Sequence, residues 1–183
     1  MAFVGACSDP PSRPPPGGGG EIKIPPGSAG TEAGATDSST VDGGEAGVCN
    51  EVQITGSLID RIGVNGEPPV ATGGTIIDGT YELSIYSVYV GVGGVAGPTG
   101  ITAKGNLLVA GGRIDDVLEL GGSGKTTSTI RTNSSYAITG ATLASTELCP
   151  NVGGGKTRQF TATDSSVTLT DLTTKEAFTF VKR

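Results

Sequence analysis

The chain has no histidine and no tryptophan, four Tyr and four Phe in all, and a charged fraction of only 16%. Each shortage excludes something. Without His there is no Ser-His-Asp or Cys-His catalytic arrangement, and the commonest zinc ligand is missing. No run of about 20 apolar residues is present, so no segment of the sequence can cross a bilayer as a helix. Basic residues are few and scattered: 12 Lys and Arg against 18 Asp and Glu give a net charge of −6. Nucleic-acid binding needs clustered Lys and Arg to displace counterions from phosphates, so this balance argues against a nucleic-acid partner. What the chain has in quantity is glycine, 32 of 183 residues, and proline, 11. These numbers imply one modest domain beside a segment without a core.

The coreless segment is residues 8–48. It holds no aromatic residue, two proline groups (Pro10 to Pro16 and Pro25-Pro26), the run Gly17 to Gly20, and then mostly Ser, Thr, Gly, Asp and Glu. Such a composition cannot bury enough apolar surface to offset its ordering entropy, so a disordered linker is expected. A flexible chain of about 40 residues has an r.m.s. span of roughly 30–40 Å, and its prolines stiffen part of it. A ligand for a proline-reading domain is the alternative, but only Arg13 and Lys23 offer basic residues beside the prolines.

Ahead of the linker stands Phe3-Val4-Gly5-Ala6-Cys7. Val4 to Cys7 resembles a bacterial lipobox, in which an apolar residue and two small ones precede a cysteine that receives diacylglycerol. Residues 1–7 then read as the remnant of a truncated signal segment, because a complete one needs a basic start and roughly 7–15 apolar residues. The resemblance implies lipidation at Cys7 and a membrane partner reached through that lipid anchor. The implied location is the bacterial cell envelope. Ser8, directly after the cysteine, suits the outer membrane under the enterobacterial sorting rule.

From about residue 75 the pattern changes. All four tyrosines and three of the four phenylalanines fall between Tyr81 and Phe180. Tyr81, Leu83 and Ile85 alternate with polar residues, which is the period of a strand. The same rhythm returns at Ile101 to Val109, at Ile114, Asp116, Leu118 and Leu120, and at Ile130, Thr132, Ser134, Tyr136 and Ile138. Further short strands are expected at Thr142–Leu148, Arg158–Thr163, Val167–Thr170 and Ala177–Val181, with Phe178 and Phe180 on one face. Turn glycines separate them, among them Gly111-Gly112 and Gly121-Gly122. About eight strands joined by short hairpins predict an all-β fold, an antiparallel up-and-down barrel in preference to a β-sandwich, since closure removes exposed edges. Residues 49–183 form this domain. Between Cys49 and the first clear strand, Val52 to Ile59 is either a strand or a short helix.

With Cys7 assigned to lipid, Cys49 and Cys149 are an even remainder in an exported chain, and a disulfide between them is expected, with two buried free thiols as the alternative. Cys49, the run Thr72-Gly73-Gly74-Thr75-Ile76-Ile77-Asp78-Gly79-Thr80-Tyr81-Glu82-Leu83, the late Cys149-Pro150 and the closing Thr/Phe-rich strand together resemble bacterial lipoproteins with a lipocalin-like barrel. The resemblance implies a barrel that opens at the Gly-Thr-Tyr strand, with Tyr81 where lipocalins carry Trp.

Several stretches imitate chemistry. Gly121-Gly122-Ser123-Gly124-Lys125-Thr126 and Gly153-Gly154-Gly155-Lys156-Thr157 suggest phosphate loops, but Glu119 and Pro150 stand where the first glycine is required, and Thr126 to Ile138 reads as strand where a helix is needed. They are expected to be hairpin turns with a solubilising Lys. Asp115 and Asp116 point to opposite faces of a strand, and Asp115 and Glu119, on one face, lie about 13 Å apart, so a solvated strand edge is expected rather than acid-base work or calcium. Asn133-Ser134-Ser135 is a glycosylation sequon without meaning in a bacterial envelope. No cofactor and no metal is implied, and no cluster argues for an enzyme. The primary reading is a non-enzymatic envelope lipoprotein of unassigned role whose barrel holds a small apolar ligand against Tyr81, Leu83, Ile85, Tyr136, Phe178 and Phe180. The alternative is a structural or protein-interaction module displayed at the cell surface through loops 91–100 and 150–156.

Overall fold

The computed structural model describes residues 49–183 except Ser123, so Cys7 and the linker at 8–48 lie outside the described residues. Within them the fold is all-β, with nine strands in one sheet and no helix. The strands are β1 (Ile59–Val64), β2 (Gly79–Tyr89), β3 (Gly97–Ala110), β4 (Arg113–Gly122), β5 (Lys125–Thr139), β6 (Thr142–Cys149), β7 (Gly155–Ala162), β8 (Ser166–Asp171) and β9 (Glu176–Lys182). From β2 onward each strand pairs antiparallel with the next. The last returns to the first of this series, Tyr81 lying opposite Lys182 and Val88 opposite Glu176. The sheet therefore rings round in the up-and-down order that the alternating segments predict.

The element that alternation misplaces is β1. Val52 to Ile59 forms neither the helix nor the strand expected there; the strand begins only at Ile59. β2 meets β3 directly only where Gly79–Glu82 faces Asn106–Val109. Beyond that point the two strands diverge, and β1 fills the gap, parallel to β2 and antiparallel to β3. Residues 50–58 are instead a strap whose polar groups are satisfied by side chains. Asn50 Nδ2 donates to the carbonyls of Asp116 (3.0 Å) and Thr132 (2.8 Å), and Arg131 Nη1 donates to the carbonyl of Val52 (2.7 Å). Asn106, 1% exposed, accepts from Thr55 N at 2.9 Å and donates to Thr55 Oγ1 at 3.0 Å. These bonds come from residues 51 to 82 positions away in the chain, so the strand-like alternation of Val52 to Ile59 could not foretell them. A disulfide joins Cys49 to Cys149, with a Cα–Cα distance of 5.4 Å, and so ties the start of the strap to the end of β6.

Inside the ring, Tyr81, Leu83, Leu107, Val109, Ile114, Leu143, Phe160, Val167, Leu169 and Phe180 pack as one apolar core. The segment before β2 closes one end: Ile76 is buried against that core, Gly73 exchanges backbone bonds with Phe160 (2.9 Å) and Ala162 (2.8 Å), and Tyr81 donates its hydroxyl to the Ile77 carbonyl. This plug needs glycine, since Gly74 has φ +120° and a Cβ there would lie 2.5 Å from the Ala162 carbonyl oxygen. In β3, a Cβ on Gly105 would stand 2.6 Å from the Val117 carbonyl oxygen, so adjacent strands approach there as only glycine permits.

A bulge in β2 corrects the expected face of Ile85. Leu83 pairs with Phe180 but Ile85 with Thr179, so Ser84 is an extra residue and the alternation flips. Ile85 turns outward, 52% exposed, and Tyr86 takes the inward place at 3%.

Candidate functional site

Above the packed core, at the end away from Ile76, the ring encloses a cavity of about 400 Å³. Its floor is Leu107, Ile114, Leu143, Leu169 and Phe180, which are the top of the core itself. Its apolar wall continues through Tyr86, Leu118, Leu120, Ile130 and Phe178. Tyr86 and Phe178 are cross-strand partners whose rings stack with centroids 4.4 Å apart and planes 17° apart. Polar residues interrupt this wall: Asp116 and Thr132 lie between Ile114 and the Leu118–Ile130 pair, Arg158 stands opposite Leu143, and Glu147, Lys156, Asp171 and Glu176 complete the lining.

These polar groups are held by the strands beside them. Thr132, opposite Asp116 in the β4–β5 ladder, donates its hydroxyl to the Asp116 carboxylate. Burial pushes the Asp116 carboxyl above its ordinary value, and Glu147 adds to that, while the Thr132 bond and the charges of Arg158 and Lys156 oppose it. Glu176 accepts from the Tyr86 hydroxyl at 2.5 Å and from Arg61 Nη1 at 2.9 Å. Arg61 reaches this site because β1 is wedged beside β2, where Arg61 pairs with Tyr86; its guanidinium carbon lies 5.6 Å from the Tyr86 ring centroid. Burial, reinforced by the bond to Glu176, pushes the Tyr86 hydroxyl up to about 12. Asp171 behaves in the opposite way. Although burial acts to raise its carboxyl, the N–H groups of Thr174 and Thr173 and the charges of Arg158 and Lys156 hold it below the ordinary value.

Of the six residues the sequence assigns to a ligand, Phe178 and Phe180 line the cavity. Tyr81 and Leu83 are buried in the packed core near the plug, Tyr136 packs against that core, and Ile85 faces outward. Asp116 is a second correction: it is not a solvated edge but an inward, half-buried group on the cavity wall. The signal was present, because Asp116 keeps step with Ile114 and Leu118. Asp115, on the opposite face, bonds Asn133. Lys156 is likewise not at a hairpin tip but within β7, opposite Ser145. The turn itself does fall at the Gly-rich stretch before it, as does another between β4 and β5.

No protein family, curated protein or solved structure matches the chain. The cavity is therefore read from its own chemistry. Among the described residues no group of three or more His, Cys, Asp or Glu gathers as metal ligands would. Two connections at the open end carry exposed valines, Val92 (94%) and Val95 (89%) between β2 and β3 and Val152 (83%) between β6 and β7.

Proposed function

We propose that the protein is a non-enzymatic lipoprotein of the bacterial envelope, anchored through Cys7, whose ring holds one small molecule in the open-ended cavity. The observation that carries the ligand reading is the cavity itself. At about 400 Å³, with an apolar floor and a few convergent polar groups in its wall, it falls in the size range of roughly 300–1,000 Å³ for small-molecule sites. A ring of this strand number is wide enough for one such guest. The resemblance of Cys49, the Gly79-Thr80-Tyr81 opening and Cys149-Pro150 to lipocalin-like lipoproteins supports the same reading, as does the lipobox-like Val4 to Cys7.

Native mass spectrometry of purified full-length chain tests it, with a co-isolated small molecule expected on the wild type. Leu118→Trp, which puts an indole into the cavity, should lose that mass while retaining the far-ultraviolet β signature. A protein that carries nothing, and takes up nothing from a panel of apolar and amphipathic compounds, would refute the proposal. For the anchor, expression behind a complete signal segment with an alkyne-tagged fatty acid should label the wild type and leave Cys7→Ser unlabelled. The display reading rests on the exposed valines at the open end. It is favoured if Val92→Ser with Val95→Ser abolishes binding to a protein partner while small-molecule uptake is absent.

A further inference from the structure

Resting on the cavity reading, we infer that the guest is a monoanionic amphiphile, with an oxyanion head received by Arg158 and an apolar body on the floor of Leu107, Ile114 and Phe180. Arg158 stands in β7 opposite Leu143, so its side chain shares the inward face with a core residue. Its Nε is buried, and no protein group among the described residues accepts its hydrogen bond. A buried donor without an acceptor is costly, and a buried charged donor more so. Among the described residues Glu82 Oε2 is also buried without a hydrogen bond, but that carboxylate forms an ion pair with Arg183.

The carboxylates facing the same space are already served. Asp116 accepts from Thr132, Asp171 from the N–H groups of Thr173 (2.8 Å) and Thr174 (3.2 Å), and Glu176 from Tyr86 and Arg61. Glu147 accepts from Asn151 N at 3.4 Å. Neither Arg158 nor Lys156, two positions away on the same face, forms an ion pair with any described residue. These carboxylates, all but Glu176 bonded by neutral donors, have their hydrogen bonds, whereas Arg158 Nε has no acceptor; the unmet bond on this wall therefore calls for an acceptor oxygen, which an oxyanion head supplies. Guanidinium matches a carboxylate or a similar planar head in two parallel bonds.

Three ten-carbon probes that differ only in the head test this on the full chain by calorimetry: decanoate, decanol and decylammonium. Decanoate is expected to bind about tenfold tighter than decanol or better, and decylammonium weakest, as a charge-assisted bond to a buried partner requires. Arg158→Gln should bring decanoate down to the level of decanol without altering decanol binding, and Arg158→Lys should recover part of the preference. Retained decanol binding also shows that the variant is folded. With ¹³C-carboxyl decanoate, the bound head should titrate at lower pH than the free acid in the wild type, and this shift should vanish in Arg158→Gln. Equal binding of decanoate and decanol, or a preference that survives Arg158→Gln, overturns the inference and leaves the cavity reading intact. Tightest binding of decylammonium also overturns it and assigns selectivity to Asp116 and Glu147. If none of the probes binds, the cavity reading fails along with the inference.

Discussion

Removing the disulfide should destabilise the domain mainly through its unfolded chain. The bond closes a loop with a sequence separation of 100 residues. In the chain-entropy treatment a crosslink of that span is worth about 4.7 kcal/mol at 25 °C. Domains of this size have a total stability of about 5–15 kcal/mol, so the crosslink accounts for a third or more of it unless the fold is unusually robust. The native state offers little compensating strain to release, because Asn50, next to Cys49, is held through its own side chain to the Asp116 and Thr132 carbonyls. In urea, with a slope of about 2 kcal/mol/M, a Cys49→Ala and Cys149→Ala double variant should show a midpoint lower by about 2 M and an altered slope only if the denatured chain expands. Native-state hydrogen exchange should show the ring strands closing in the variant as in the wild type, apart from the strap near Val52. Coincident urea midpoints would refute the reasoning, as would loss of protection throughout β3 to β5 in native buffer, since the second result would mean that the crosslink holds the folded state together.

Three further outcomes are expected at the site and in the core. Tyr86→Phe removes a bond to a charged acceptor and should cost about 1.5–3 kcal/mol at neutral pH. Because the native hydroxyl titrates at about 12 against an ordinary value near 10, the native state holds the proton more tightly; the wild type should lose stability as pH rises through that window and Tyr86→Phe should lose less, as alkaline thermal melts would show. For Asp116 the native carboxyl lies above its ordinary value, so ionising it costs stability once pH exceeds the unfolded value. Asp116→Asn, which still accepts from Thr132, should raise the melting temperature at pH 7 and lose that advantage in acid. Gly105→Ala forces a methyl against the Val117 carbonyl and should cost about 1–3 kcal/mol by overpacking, measured by urea titration, whereas a wild-type midpoint would mean that β3 and β4 can part without penalty.

The strands from β2 to β9 were legible because each half-buried ribbon writes its inward residues at every second position, and Gly pairs mark the hairpins. Where a pattern depends on a partner rather than on its own chain, it failed. Val52 and Ile54 carry a strand-like alternation, yet Arg131 takes the Val52 carbonyl and Asn106 the Thr55 N–H, and β1 forms later, at Ile59, where β2 and β3 have separated. A bulge leaves no mark in composition, so Ile85 and Tyr86 exchanged faces without warning. The site was half legible: Phe178 and Phe180 are placed by alternation, and Asp116 shares the step of Ile114 and Leu118. Its charge argued for solvent, but a ring can turn a polar residue inward where its interior opens toward water. Which part of the interior is solid and which hollow depends on Ile76 plugging one end only, and no local pattern records that.

The pairing of β9 with β2 also has a temporal side. As the polypeptide leaves the ribosome, hairpins can zip one after another, each using neighbours already made. The tape nevertheless stays unrolled until Glu176–Lys182 has emerged. Until then β2 and β8 each carry a row of naked amides that any passing ribbon could seize. A chain cut short before Glu176 would therefore be not a smaller version of this protein but a sticky one.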